Sequence, residues 1–359
     1  MRVLVLNPGS STLKAAVVDG DEAIADVLAE WPAGEEDASG AVASALERLP
    51  SGASAIGYRV VHGGAEYQAP SRVDDELLAR VEELDRLAPL HNRRAAAVMR
   101  AGLAALPGAP HVACFDTAFH AGLPEEAWRY PIPDAWTQRF AIRRYGFHGL
   151  SVAWSVRRAS ELLRRSPRDL RLVVAHLGSG CSVTAVDRGR SVATSMGYTP
   201  YEGLMMGTRS GSIDPGILLR LADAGLRTDE LADGLAHDSG LRAIAGTPDL
   251  REIEARADAG DERARLAIAM FAHRTAAGIG AAMTALPAVD ALVFTGGIGE
   301  HSTRVRREVT GRLASVGIAG AEADGDGDRV VIAGPPAVLV VAAREELVIA
   351  AEVAATVSV

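Results

Sequence analysis

Residues 2–20 read R-V-L-V-L-N-P-G-S-S-T-L-K-A-A-V-V-D-G, and residues 171–189 read R-L-V-V-A-H-L-G-S-G-C-S-V-T-A-V-D-R-G. Each is an apolar run, a Gly/Ser turn, a second apolar run and a further turn, which is the pattern of a β-hairpin. Aligned without a gap from Val3 and Leu172, the pairs Val5/Val174, Gly9/Gly178, Ser10/Ser179, Ala16/Ala185, Val17/Val186 and Gly20/Gly189 coincide. The offset is near half of the 359-residue chain. A repeat at that spacing predicts two halves of one design, each opening with a hairpin.

Working outward, apolar runs at 54–61, 111–115, 289–295 and 337–342 read as strands. Segments 73–105, 152–165, 215–224, 251–284, 302–315 and 345–357 carry helical periodicity. This alternation predicts an α/β protein. With 37 basic against 46 acidic residues, the net charge is −9, which disfavours nonspecific nucleic-acid binding. The longest apolar run, at 336–343, falls short of the roughly 20 residues of a membrane span. The opening M-R-V-L-V-L-N is too short for a signal peptide. Cys114 and Cys181 lack metal spacing, so a reduced, cytoplasmic protein is expected. All basic residues are arginine except Lys14.

Several loops carry anion-binding chemistry. The turn at Gly9, Ser10 and Ser11 offers N–H groups and hydroxyls to a phosphate, with Lys14 on the returning strand and Asn7 ending the incoming one. His176–Gly180 is the matching tip. Arg59 stands in G-Y-R-V-V-H-G-G (57–64), His148 in R-R-Y-G-F-H-G-L-S (143–151) and Arg209 in M-G-T-R-S-G-S-I-D-P (206–215). Arginine forks bind phosphate or carboxylate oxygens bidentately. Asp116, in F-D-T-A-F-H (115–120), ends a strand, where an α/β enzyme carries a catalytic carboxylate. V-F-T-G-G-I-G-E-H (293–301) reads as a strand, a glycine turn and a helix starting near Glu300 or Ser302, and suits a base or ribose.

Taken together, N-P-G-S-S, R-V-V-H-G-G, L-A-P-L-H-N, F-D-T-A-F-H, R-Y-G-F-H-G, S-M-G-Y-T-P-Y-E-G-L, M-G-T-R-S-G-S-I-D-P and F-T-G-G-I-G-E resemble the acetate kinase family. The resemblance runs from residue 7 to residue 347. It implies a duplicated actin/hexokinase/Hsp70-like (ribonuclease H-like) two-domain fold with an interdomain active-site cleft. The expected domains are 1–148 plus 345–359, on the acyl-substrate side, and 149–344, with the adenosine site and the dimer contact. The implied reaction is reversible phosphoryl transfer from ATP to acetate, giving acetyl phosphate and ADP, in a cytoplasmic homodimer. Magnesium, or alternatively manganese, would assist.

By the same resemblance Asp116, His148, Arg209 and Arg59 would be catalytic. Arg59, Val61, Leu90, Phe147 and Pro200 would bind the acyl substrate. Lys14, His176, Gly178, Ser179, Gly180, Asp249, Leu250, Arg251, Gly297, Ile298, Gly299 and His301 would line the nucleotide. Asn7 and Glu345 would place the metal, with Glu346 as a competitor for that role. The chain departs from the family pattern at Ser179, His301, Arg93 and Arg344. Propionate kinase is the nearest alternative, because one methylene in an apolar pocket discriminates only about 1–3 kcal/mol. A weakly active nucleotide-binding paralogue, or an actin-like conformational module, would be the reading from other classes.

Overall fold

The computed structural model describes residues 1–9, 11–32, 34–88, 91–318, 325 and 327–358. The chain divides into two compact units. The first comprises Met1–Ala121, Phe147–Trp154 and Arg344–Val359, and the second Gly122–Gly146 and Ser155–Ala343.

In the first unit β1 (Arg2–Pro8), β2 (Thr12–Asp19) and β3 (Glu22–Glu30) form an antiparallel meander. Strands β4 (Ala55–Val60) and β6 (His111–Phe115) run parallel to β1, with the two-residue β5 (Ser71–Arg72) at the far edge. The sheet order is β3-β2-β1-β4-β6-β5. Side chains alternate faces along a strand. Leu4, Leu6, Leu13, Ile56 and Phe115 therefore join the core formed with helices Ser39–Arg48, Asp75–Glu83 and Asn92–Ala105. The opposite set, Val3, Val5, Val18, Val112 and Cys114, packs on Ile349, Ala350 and Val353 of the helix Glu345–Val357.

In the second unit β7 (Arg171–Leu177), β8 (Cys181–Asp187) and β9 (Arg190–Thr194) repeat the meander. Strands β10 (Ala291–Thr295) and β12 (Ala337–Val340) repeat the parallel pair, and β11 (Arg329–Ile332) forms the antiparallel edge. The order β3-β2-β1-β4-β6 thus recurs as β9-β8-β7-β10-β12. A register shift even falls at matching points, between Val17 and Val18 and between Ala185 and Val186. The predicted duplication is a property of the fold.

The gapless alignment holds only on the incoming strands. Pro8 pairs with Leu13, whereas Leu177 pairs with Cys181, so the second tip is one residue shorter. Val18, opposite Val3, therefore corresponds to Val186, opposite Leu172, and Lys14 to Ser182. The coincidences Ala16/Ala185, Val17/Val186 and Gly20/Gly189 are one position out, a slip that exchanges faces on a pleated strand.

The unit boundaries also differ from those expected. Segment 122–146 belongs to the second unit because Arg144 donates to the carbonyls of Ser195 and Met196 (3.0 and 2.9 Å) and pairs with Glu202 (2.7 Å). Residues 147–154 belong to the first, where the Gly149 N–H donates to the Asp116 carbonyl (3.0 Å). The expected helix 73–105 is interrupted after Leu87, and 251–284 breaks between Asp258 and Glu262, around Gly260 at φ 100°. Strand β3 and the helices Ser39–Arg48 and Thr228–His237 add to the expected elements. By length and composition the helix Glu262–Met283 could cross a membrane. Its Ala264, Ala267, Ile268, Phe271 and Ile279 are instead buried within the second unit.

Gly57 sets how closely the last helix approaches the first sheet. A Cβ there would lie 2.5 Å from Ile349 and 2.7 Å from Val353. Gly57→Ala should cost about 1–3 kcal/mol by overpacking. Urea denaturation should show it as a lower midpoint. Unchanged stability would refute this packing account.

Candidate active site

The carboxyl ends of β1, β4 and β6 lie side by side in the first unit, and there the chain places Asn7, Arg59 and Asp116 on the helix Glu345–Val357 side. This is where open α/β sheets bind ligands. Arg59 donates through Nε and NH2 to the Asp116 carboxylate (3.1 and 2.7 Å). Its NH1 lies 3.3 Å from Glu345 and 3.3 Å from Asn7 Oδ1. Asn7 Nδ2 in turn donates to Glu345 (3.1 Å). Burial raises Asp116 to about 6, with Arg59 opposing and Glu345 adding to the rise. Two carboxylates thus share one guanidinium, and the cluster carries one negative charge in excess.

Glu346, next in the chain, turns elsewhere, pairing with Lys14 (3.5 Å) and Arg344 (3.8 Å). Lys14 stands opposite Asn7 on β2, so the two share a face of the sheet. Of the two glutamates, Glu345 is the one that joins Asn7 and Arg59.

His148 follows Phe147 at φ 59°, a left-handed conformation that side chains seldom adopt. The Gly149 hydrogen bond to Asp116 holds it there, and a Cβ on Gly149 would lie 2.1 Å from that carbonyl. Asp116 and His148 are therefore coupled through backbone. Phe147 is buried, its ring edge-on to His62 at 5.4 Å. His120 donates from Nε2 to the Phe147 carbonyl (3.0 Å), and burial lowers its pKa to about 4, so it stays neutral. Asn92 bridges to the backbone of His62 in both directions (3.1 and 2.9 Å). These supports lie in the quoted R-V-V-H-G-G, L-A-P-L-H-N and F-D-T-A-F-H blocks, and in the structure they hold backbone in place. Val61 is half-buried one residue past β4. Leu90 and Ser10 lie outside the described residues.

In the second unit the β7–β8 tip holds His176, Gly178, Ser179 and Gly180. It is closed by Gly178 N–H to the Gly180 carbonyl (3.0 Å), and Gly207 N–H donates to Ser179 (3.1 Å). The helix Gly296–His301 begins directly at the end of β10, earlier than expected, because Gly296 at φ 76° fits where a Cβ would come 2.8 Å from the Leu177 carbonyl. A Cβ on Gly178 would be 4.0 Å from Gly297 N, so tip and glycine helix adjoin. Ile298 and Gly299 lie in that helix and His301 ends it, exposed. Pro248 lies beside Gly207, followed by Asp249, Leu250 and Arg251. Asp249 caps the helix Leu250–Asp258 and pairs with Arg251 (2.7 Å), which holds its carboxyl at about 2.

Arg209 shares this unit. Its NH1 donates to the Pro200 carbonyl (2.8 Å). Burial lowers its pKa, against the influence of Cys181 and Tyr201. Among the described residues it pairs with no carboxylate, unlike Arg59. A cation held only by a carbonyl keeps its charge available to an incoming anion.

The duplication makes His176, Thr295 and Ala343 the counterparts of Asn7, Arg59 and Asp116. Only the first unit has the charged set. Among the described residues no three His, Cys, Asp or Glu side chains gather as metal ligands.

The model of the acetokinase family matches residues 36–351. An acetate kinase of Deinococcus radiodurans is 44% identical over 388 residues, covering 99% of this chain and 98% of the relative. One from Streptomyces coelicolor is 41% identical over 395 residues, covering 99% and 97%. Among solved structures, a propionate kinase from Francisella tularensis has a TM-score of 0.87 at 34% identity, and the Porphyromonas gingivalis acetate kinase 0.85 at 33%. Each covers 99% of both chains. The chain belongs to the acetokinase family.

Proposed function

We propose that the protein is an acetate kinase, transferring the γ-phosphoryl group of ATP to acetate by direct in-line attack and running reversibly. The observation that carries this is the Arg59–Asp116–Glu345–Asn7 cluster, in a chain whose full-length relatives bear that activity in their names. A carboxylate is already a nucleophile and needs no base. The enzyme's task is to orient it and neutralise phosphoryl oxygens, which suits arginines, a histidine and N–H groups.

In this reading Arg59 and Arg209 hold the carboxylate and the phosphoryl oxygens. His148 donates a hydrogen bond to the group in transfer, and Asp116 fixes the Arg59 fork. Val61, Phe147 and Pro200 enclose the acyl methyl. The second-unit tip, the glycine helix and Asp249–Arg251 take the nucleotide, with Lys14 contributing charge from the first unit. The negative excess at Asn7, Asp116 and Glu345 suits a divalent cation, held by Asn7 and Glu345 largely through water, as magnesium prefers. When bound, the ion would neutralise phosphate charge. Magnesium dependence, with manganese as substitute, a homodimer and a cytoplasmic location belong to the same proposal. The likeness to a propionate kinase structure keeps propionate as the second substrate to test.

Coupled detection of ADP with acetate, propionate and butyrate tests the reading. Acetate should give the highest kcat/KM, and ATP binding without turnover of any acid would sink it. Arg59→Ala and Arg209→Ala should each lose roughly 10³-fold in kcat, the range of transition-state arginines. Near-normal turnover in both would contradict these roles. As pH falls through about 6, Asp116 takes up a proton and loosens its hold on Arg59. The pH–rate profile should then fall about tenfold per unit on the acid side. Saturating magnesium should move that limb to lower pH, since a nearby cation favours the carboxylate. Glu345→Gln should raise the magnesium needed for half-maximal rate, and Glu346→Gln should not. A magnesium titration of both variants distinguishes them.

A further inference from the structure

The sequence marks Arg93 as a departure from the family pattern, yet Arg93 is exposed and pairs with Asp85 (3.2 Å) and Glu36 (3.6 Å). The neighbouring Arg94, in the first turn of the helix Asn92–Ala105, reaches the first hairpin tip. Its Nε donates to the Gly9 carbonyl (2.8 Å), NH2 to the Trp31 carbonyl (2.9 Å) and NH1 to the Pro32 carbonyl (3.2 Å). The guanidinium carbon lies 3.4 Å from the centroid of the buried Trp31 ring. The Trp31 backbone N–H donates back to the Ser11 carbonyl (3.2 Å), and Gly9 N–H closes the turn on the Thr12 carbonyl (2.8 Å). One planar side chain therefore ties the tip, the segment after β3 and a core helix together.

Among the described residues no carboxylate pairs with Arg94. Its direct partners are carbonyls and an indole, with the Glu35 charge acting on it only from farther away, so a positive charge sits beside the tip. A backbone carbonyl in that turn would repel an anion, and Arg94 offsets the dipole of the Gly9 carbonyl by donating to it.

We propose that Arg94 is a positioning residue for nucleotide phosphate, bracing the Gly9 turn through its fork. The proposal rests on the reading above, in which the first unit contributes to the nucleotide through Lys14, on the strand that follows this turn. An ammonium cannot span three carbonyls in one plane, so lysine would not replace it.

The test uses the full chain, with ATP and magnesium titrated by calorimetry in the absence of acetate. Arg94→Met keeps the aliphatic stack, and Arg94→Lys keeps the charge. Both should bind ATP about tenfold more weakly, the loss of one charged hydrogen-bonding group. The KM for acetate should stay within twofold and Tm should fall only slightly. ATP binding within twofold of the parent in either variant overturns the proposal. So does a large Tm loss with equal damage to both substrates, which marks Arg94 as merely structural. A parent chain that binds ATP but does not turn over acetate removes the acetate reading, and the calorimetric comparison still decides Arg94.

Discussion

The buried fork of Arg59 on Asp116 is the interaction around which the first unit is arranged. A guanidinium at the end of a central strand needs acceptors, and a carboxylate beside it needs donors. β4 and β6 supply one partner each because they are parallel neighbours in register. Asn7 comes from β1 on the other side, and Glu345 from the first turn of the last helix. Four segments, spread over 338 positions of sequence between Asn7 and Glu345, meet at one cation. Each of the elements that meet there, from the Gly57 approach to the Gly149 turn, keeps one of these partners in place.

The second unit shows what the same framework does without that charge. Its topology is the same, but Thr295 and Ala343 stand where Arg59 and Asp116 stand in the first. The strand ends are given over to glycine: Gly178 and Gly180 at the tip, Gly296, Gly297 and Gly299 at the helix. Backbone can then approach a flat or anionic group closely. One topology thus presents charged side chains at the strand ends of the first unit and glycine backbone at those of the second.

Much of this was legible in the chain because its causes are local. Apolar runs ending in Gly/Ser turns declared the hairpins, and the repeat declared the duplication. The strand-end positions of Arg59 and Asp116 followed from the same reading. The one-residue difference between the two tips was hidden because Val and Ala match in either register, and a slip of one leaves the apolar character unchanged. Gly57 and Gly149 were silent because their role is a missing side chain opposite a residue far away in sequence. Arg94 is not legible in the sequence, because an arginine on an amphipathic helix looks like a solvated charge and its targets are carbonyls, which carry no sequence signal. The membership of segment 122–146 in the second unit is hidden for a similar reason: Arg144 and Tyr130 reach Glu202 across the chain, not along it.

The helix Glu345–Val357 covers a face built from β1, β4 and β6, all made by residue 115. During synthesis Val3, Val5, Val112 and Cys114 emerge more than two hundred residues before their covering. Until then the sheet is half a core with one greasy side open to solvent, and Arg59 has Asp116 but lacks Glu345. The second unit, by contrast, is contiguous in sequence apart from segment 122–146, and can consolidate as it emerges. The order of chain growth therefore completes the charged site only after the residues of the second unit have been made, and keeps that one apolar face open in the meantime.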